Sequence, residues 1–315
     1  VFDHMFGTGT STNVIAGRVS YALGLQGPAV AVDTACSSSL VATHLAVNAL
    51  RQGQCTAAVA SGVHVMLSAE LMVNLCRARM LSPSGRCKTF DSSADGYGRG
   101  EGCGAVVLKL LSAAQRDGDH VRALIRGTAV NQDGKSSSLT APNGPQQQAV
   151  IRTALADGGV EASDVGYIEA HGTATPLGDP IEATSLGKVI GESRPTNRPF
   201  VLGAVKTNIG HLESASGIAG MIKAVLALEH DEIPPNVNFN NGINKNINLA
   251  KINAVLPLGG VPMPWPAGYD RRVAGISSFG FSGTNAHIVL QAAPFDDSAP
   301  DAASAPADPG AYGVL

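Results

Sequence analysis

Aromatic residues are scarce in the 315-residue chain, at 4 % with a single tryptophan, whereas glycine is abundant at 37. That balance suits an α/β protein with tight turns and close backbone contacts. No basic run interrupts a net charge of −3, so the chain offers no electrostatic footprint for nucleic acid. No apolar stretch approaches the roughly 18 uncharged residues that cross a bilayer. No secretory signal is read either. Cys-x-x-Cys is missing, and the five cysteines (Cys36, Cys55, Cys76, Cys87, Cys103) are an odd number confined to the first third. A disulfide framework and a zinc ribbon are therefore not expected; free thiols in a reducing, cytoplasmic compartment, with no metal, are. The chain opens on Val1 in mid-sequence, as an excised or partial fragment would. Its length still suffices to bury a sizeable core.

Apolar periodicity predicts helices over 11–24 (with a Ser or Thr cap and a terminal glycine), Ser37–Arg51, Gln146–Leu155, Ile181–Ile190 and Ser216–Glu229. In Ser37–Arg51 the apolar side is Leu40, Val41, Leu45, Val47 and Leu50. Buried strands are predicted in AVAVDTA after Pro28, and over Thr56–Val63, Ala105–Leu110, Val121–Val130, Val165–Ala170, Phe200–Val205, Val273–Ser277 and Ala286–Gln291. Strands alternating with helices point to α/β architecture with buried mixed sheets. AVDTACSSSLVATHLAVNAL and GAVKTNIGHLESASGIAGMIKAVLAL share one layout, a strand, a small-residue loop with a reactive side chain and an apolar helix, which suggests a duplicated half-fold. Residues 294–315 are rich in Ala, Pro and Asp and read as a linker after a domain spanning 1–293.

Cys36 lies between an expected strand and the helix that begins near Ser37. A helix start offers unpaired N–H groups and partial positive charge, which favour thiolate over thiol. The strand–turn–helix position also presents a side chain as a nucleophile elbow does. A lone cysteine is more often a small buried hydrophobe, and Cys55, Cys76, Cys87 and Cys103 are read that way. His171 and His211 sit in loops that follow expected strands, where α/β sheets build their sites. Cysteine with histidine suits acyl chemistry through a thioester, and a second histidine suits a second charged intermediate such as an enolate. Lys206, five residues before His211, can hold local charge. His4, His44, His64, His120, His230 and His287 are read as structural. DGYGRGEGCG (95–104) looks like a phosphate loop but runs into AVVLKLL, a strand where phosphate motifs need a helix. In FGFSGTN (279–285) the glycines would let a backbone N–H approach a substrate, and Asn131–Asn143 reads as an exposed turn.

Together these segments resemble the ketosynthase (β-ketoacyl synthase) domain of type I modular polyketide synthases. VDTACSSSL is similar to that family's nucleophile motif, EAHGTATPLGDPIE to its first histidine motif and KTNIGHLESASGIAG to its lysine and second histidine motif. FDSSADGYGRGEGCGAVVLK, NQDG with LTAPNGPQQ, and SSFGFSGTNAH are similar to further family segments, over the chain to about residue 293. The resemblance implies a thiolase-like fold of two similar βαβαβαββ halves in a five-layer α-β-α-β-α arrangement, usually a homodimer. It implies Cys36 as nucleophile, His171 and His211 as catalytic histidines, and Lys206 in support. It further implies Thr173 and Thr175 as phosphopantetheine contacts, and Phe281 as a gate whose N–H joins that of Cys36 in an oxyanion hole. The implied reaction is acyl transfer to Cys36 and decarboxylative condensation with a malonyl-type extender on acyl carrier protein. No permanently bound cofactor is implied; phosphopantetheine arrives as the carrier's arm.

The family pattern has further strands and helices before the position of Val1, and the fragment is not expected to fold or work alone. Ala174 stands where glycine is commoner, with little effect expected, and Ser136–Ser138 lacks a glycine usual before Leu139, which would alter a loop near the substrate entrance. A thiolase would pair Cys36 with a second cysteine near the C-terminus, and none follows Cys103. A non-elongating ketosynthase often lacks a catalytic histidine, and a papain-like protease has a different cysteine context. A transacylating ketosynthase or a non-catalytic dimerisation or docking module are the remaining alternatives.

Overall fold

The computed structural model describes residues 3–192, 194–269, 271–293 and 312–314. Its helices are α1 (Phe6–Thr10), α2 (Asn13–Leu23), α3 (Ser38–Arg51), α4 (Glu70–Arg77), α5 (Leu111–Asp117), α6 (Gly144–Gly158), α7 (Gly178–Leu186), α8 (Lys206–Ile209) and α9 (Ser216–His230). Its strands are β1 (Ala57–His64), β2 (Gly102–Leu110), β3 (Ala123–Gln132), β4 (Val165–Glu169), β5 (Phe200–Gly203), β6 (Glu232–Ile233), β7 (Ala254–Val255), β8 (Met263–Pro264), β9 (Val273–Phe279), β10 (Thr284–Ala292) and β11 (Tyr312–Val314).

Nine strands form one mixed sheet in the order β1-β2-β11-β3-β10-β9-β4-β5-β7. The centre is antiparallel, β10 lying between β3 and β9, whereas β4, β5 and β7 add in parallel, as strands joined through helices must. The ends of α6 show how sequence sets an element. Asn143 caps its first turn by accepting from the Gln146 N–H, and Gly159 ends it in the left-handed conformation, φ 58°.

Two apolar clusters hold the layers together. In the first, α3 and α9 pack on each other and on strands from both parts of the chain, joining Leu40, Val47 and Leu50 with Val106, Leu108, Ile218, Met221, Ile276 and Ile288. In the second, α6 and α7 cover the opposite side, joining Ile151, Leu155, Leu186 and Ile190 with Ile168, Phe200 and Leu202. The pairing of α3 with α9 fits the internal echo, since each follows one of the two reactive loops. An outer layer over the first half is absent among the described residues: alternate residues of β1 and β2, including Val59, Val63 and Val107, face outward and are exposed.

Several expectations need correction. AVAVDTA after Pro28 forms no strand, and Val30 is exposed; a strand exists only beside a hydrogen-bonding neighbour, and this segment has no ladder. Helix α2 begins after Thr12, but no side chain caps it, and none of its residues is buried. Leu45 is turned away from the buried face of α3 and is 44 % exposed. The helix over Ile181–Ile190 ends as α at Leu186 and continues as a wider π turn over Gly187–Gly191. Of the stretch read as linker, 294–311 lies outside the described residues, and Tyr312–Val314 forms β11 between β2 and β3.

Candidate active site

Cys36 sits in a short 3₁₀ turn, Ala35–Ser37, that leads directly into α3. Ala35 before it takes φ 56°, a left-handed conformation costly for any residue with a Cβ, as at a nucleophile elbow. The turn is held from both sides. Thr34 N–H donates to Ser38 Oγ at 2.9 Å. The Cys36 carbonyl accepts from Ser278 Oγ of β9 at 2.7 Å and from Ser216 Oγ at the start of α9 at 3.2 Å. Residues 180 and 242 positions away thus fix the Cys36 turn, which the local motif could not reveal.

The structure brings Cys36, His171 and His211 together: one sulfur and one ring nitrogen from each histidine lie within 4.8 Å of one another. The two imidazoles stand edge to face, centroids 5.7 Å apart, and Phe279 lies 5.6 Å from His171. His171 follows β4. Its N–H and that of Gly172 donate to the two carboxylate oxygens of Glu182 at 2.7 and 2.8 Å. His211 follows α8, and its Nδ1 accepts from the Glu213 N–H at 2.9 Å. The ring proton of neutral His211 is therefore on Nε2, which is buried without a protein partner. Burial first, and the Lys206 charge second, hold both imidazoles well below their ordinary value, so both are neutral at pH 7. A metal on His211 Nε2 would have to displace that proton, so the donor set suits N–H donation better than coordination.

The thiolate expected from a helix start is not the resting state. Burial pushes the Cys36 thiol up to about 11, outweighing the Lys206 charge and the N–H groups of Phe281 and Cys36 that hydrogen-bond the sulfur. Both N–H groups thus act at the Cys36 sulfur. Gly280 makes this approach possible, because a Cβ there would stand 2.3 Å from the Thr34 carbonyl. The Phe281 ring is 51 % exposed. Lys206 is buried at the head of α8, and burial lowers its own ammonium while Glu169, Cys36 and Glu182 pull it back up.

Thr173 and Thr175 are half-buried just beyond His171, their hydroxyls 3.2 Å apart. Thr175 Oγ also accepts the Gly178 N–H that opens α7. Ala174 between them takes φ 58°, so alanine carries a strain of about 1–2 kcal/mol that glycine would avoid. The expectation of little effect thus overlooks a backbone cost. Asp179 accepts the Phe90 and Ala174 N–H groups at 2.8 and 3.0 Å. Burial pushes Asp179 and Glu182 each up to about 7. Sequence reasoning missed Glu182, Asp179, Ser216 and Ser278; the first two stand inside GDPIE, where buried acids in an apolar helix were the available signal. His44 and His287 pair with Thr128 and Ser277, in keeping with structural roles.

Three family models match the chain: beta-ketoacyl synthase, N-terminal domain, over 2–114; beta-ketoacyl synthase, C-terminal domain, over 122–240; and ketoacyl-synthetase C-terminal extension, over 244–309. The phenolphthiocerol synthesis polyketide synthase type I Pks15/1 of Mycobacterium marinum is 50 % identical over 303 residues, 96 % of this chain and 14 % of that protein. Pikromycin polyketide synthase component PikAII of Streptomyces venezuelae is 50 % identical over 296 residues, 93 % of this chain and 8 % of that protein. The ketosynthase from module 6 of the bacillaene synthase of Bacillus subtilis 168 superposes with a TM-score of 0.86 at 40 % identity, covering 93 % of this chain and 53 % of that one. The oxazolomycin ketosynthase domain of Streptomyces albus JA3453 gives 0.87 at 40 % identity, covering 92 % and 51 %. The chain thus spans about half of these solved ketosynthases and a small part of the curated synthases. With its motifs in family order, a thiolase-like α/β fold and these matches, the chain belongs to the β-ketoacyl synthase family, in the form carried by polyketide synthases.

Proposed function

We propose that the chain is the condensing domain of a polyketide synthase, acylated on Cys36 and extending the acyl group by decarboxylative condensation. The observation that carries this reading is the meeting of the Cys36 sulfur with one nitrogen each of His171 and His211 within 4.8 Å, under two backbone N–H groups. A resting thiol must lose its proton to attack. His211 already accepts at Nδ1, whereas His171 Nδ1 has no partner, so His171 is the available proton acceptor.

The sulfur then attacks the carbonyl of an acyl thioester carried by acyl carrier protein. The oxyanion is held by the Cys36 and Phe281 N–H groups, and collapse expels the carrier's thiolate, which takes the proton that His171 accepted from Cys36. Thr173 and Thr175 offer hydroxyls to the phosphopantetheine arm, and the exposed Phe281 ring gates its entry. A malonyl-type extender follows on a second arm. Loss of carbon dioxide leaves an enolate, whose oxygen accepts a hydrogen bond from the Nε2–H of His211. Its carbon attacks acyl-Cys36, the C–S bond breaks with its electron pair left on the Cys36 sulfur, which regains a proton from water, and a β-ketoacyl product two carbons longer leaves on the carrier. Burial, with the Lys206 charge second, keeps both imidazoles neutral at rest, His211 as an N–H donor and His171 free to take the Cys36 proton.

We assign acyl carrier protein and a second copy of the chain as partners, the latter with the family. A cytoplasmic setting goes with them; no helix among the described residues is long and apolar enough to cross a membrane. The test is peptide-level mass spectrometry of the full polypeptide treated with an acyl thioester, beside Cys36→Ala. An acyl adduct on the Cys36 peptide, followed by β-ketoacyl product from a malonyl carrier, supports the reading. An adduct without product favours a transacylating ketosynthase, and no adduct from folded protein favours a docking module.

A further inference from the structure

The glycine-rich stretch 95–104, which is no phosphate loop, runs against His211. His211 N–H donates to the Gly98 carbonyl at 2.7 Å, and the His211 carbonyl accepts from Gly100 N–H at 2.8 Å. Both positions require glycine: a Cβ at Gly98 would lie 2.2 Å from the Gly85 carbonyl on its other side, and one at Gly100 2.6 Å from that of Ile209 beside His211. The Tyr97 ring meets the imidazole edge-on at 4.8 Å. The backbone of His211 is therefore gripped on both sides, but this grip does not choose which ring nitrogen carries the proton.

That choice lies with Glu213, whose N–H occupies Nδ1. Glu213 reaches this position only by adopting φ 44°, which costs a residue with a Cβ about 1–2 kcal/mol. Its carboxylate is held in a fork by Arg99, Nε to Oε1 at 2.5 Å and Nη2 to Oε2 at 3.1 Å. The Arg99 side chain is 3 % exposed and that of Glu213 16 %, so the arginine side of the pair is shielded from water, and His64 Nε2 closes the cluster 3.3 Å from Glu213 Oε2. Arg99 stands between Gly98 and Gly100. One segment thus holds both the main chain of His211 and the residue that sets its ring.

We propose that the Arg99–Glu213 pair is a positioning device that holds Glu213 in its left-handed conformation and thereby keeps the His211 proton on Nε2. The inference rests on the condensing reading, in which that N–H receives the enolate. Without the fork, Glu213 relaxes, its N–H leaves Nδ1, and His211 populates the tautomer with a lone pair toward the site. Acylation of Cys36, which draws on His171 and the backbone N–H groups, depends on the pair less than condensation does.

The experiment compares the full polypeptide with Arg99→Lys, Glu213→Ala and Glu213→Gly. Selective ¹⁵N-histidine NMR, with the His211 signals identified by their loss in His211→Asn, reads the tautomer without reference to activity. Wild type is expected to show a single Nε2–H form. Glu213→Ala and Arg99→Lys are expected to show mixed tautomers, with condensation falling on the order of tenfold to a hundredfold and acylation far less. Glu213→Gly lacks the fork but adopts the left-handed conformation freely, so it should recover the Nε2–H form relative to alanine. If glycine is no better than alanine, or alanine matches wild type, the device is ruled out. Should Glu213→Ala fail to fold, Arg99→Lys against Glu213→Gly decides by the same signal. A wild type with a fixed tautomer but no condensation would sink the functional reading and leave the positioning result standing.

Discussion

Ser278 Oγ, on β9, donates to the Cys36 carbonyl at 2.7 Å, so a strand from the end of the fold fixes the Cys36 turn near its beginning. Ser278→Ala leaves that carbonyl with only the longer Ser216 bond. Stability should fall by about 1 kcal/mol, and the acylation rate by roughly fivefold to thirtyfold, about 1–2 kcal/mol in barrier. Quench-flow acylation and urea melts check this. An unchanged rate beside lowered stability would mean that the bond serves the fold alone.

The resting thiol gives a second outcome. Alkylation of the Cys36 peptide by iodoacetamide should rise with pH toward a midpoint near about 11. Lys206→Met removes the largest influence that lowers it, so the midpoint moves up and the rate at pH 9 drops on the order of tenfold, one unit being about 1.4 kcal/mol. A midpoint below 8 would show that the helix start prevails over burial.

Glu182 ties stability to pH. Burial raises its carboxyl from 4.5 to about 7, so the folded state binds the proton more tightly than the unfolded one across that window. Stability therefore falls as pH rises from about 4.5 to about 7 and levels off above. Asp179 contributes in the same direction between 3.8 and about 7. Urea midpoints across pH should show this slope, and Glu182→Gln should flatten its own share. A slope of opposite sign would mean that the His171 and Gly172 N–H groups outweigh desolvation.

Gly280→Ala tests the close approach of the 279–285 turn to Thr34, beside the proposed oxyanion hole. The new Cβ meets the Thr34 carbonyl, a backbone atom that cannot yield cheaply, so the 279–285 turn must move. A loss of about 1–3 kcal/mol in stability is expected, with acylation down by more than about tenfold as the Phe281 N–H withdraws. Retained acylation would show that Phe281 is dispensable there.

Much of the fold was legible because local pattern carries it. Val165–Glu169 and Phe200–Gly203 are short apolar runs, and Ser216–His230 is an apolar helix, each near its predicted bounds. AVAVDTA has the same composition and yet forms no strand, because pairing depends on a neighbour that composition does not specify. Leu45 was misread because apolar identity was weighed above its angular place on α3. The prominence of Cys36, His171 and His211 came from loops at element ends, where a reactive residue among small ones stands out.

By itself, then, the sequence determined the family motifs, the residues proposed to carry the chemistry and most of the segments that fold around them, since motifs and periodicity act over a few residues. Tertiary structure decided what those residues are in place: a protonated Cys36, a His211 whose proton sits on Nε2, and a nucleophile loop anchored by Ser278. Burial, charge and hydrogen-bond direction depend on atoms brought together from distant parts of the chain, and these outweigh the local bias of a helix start.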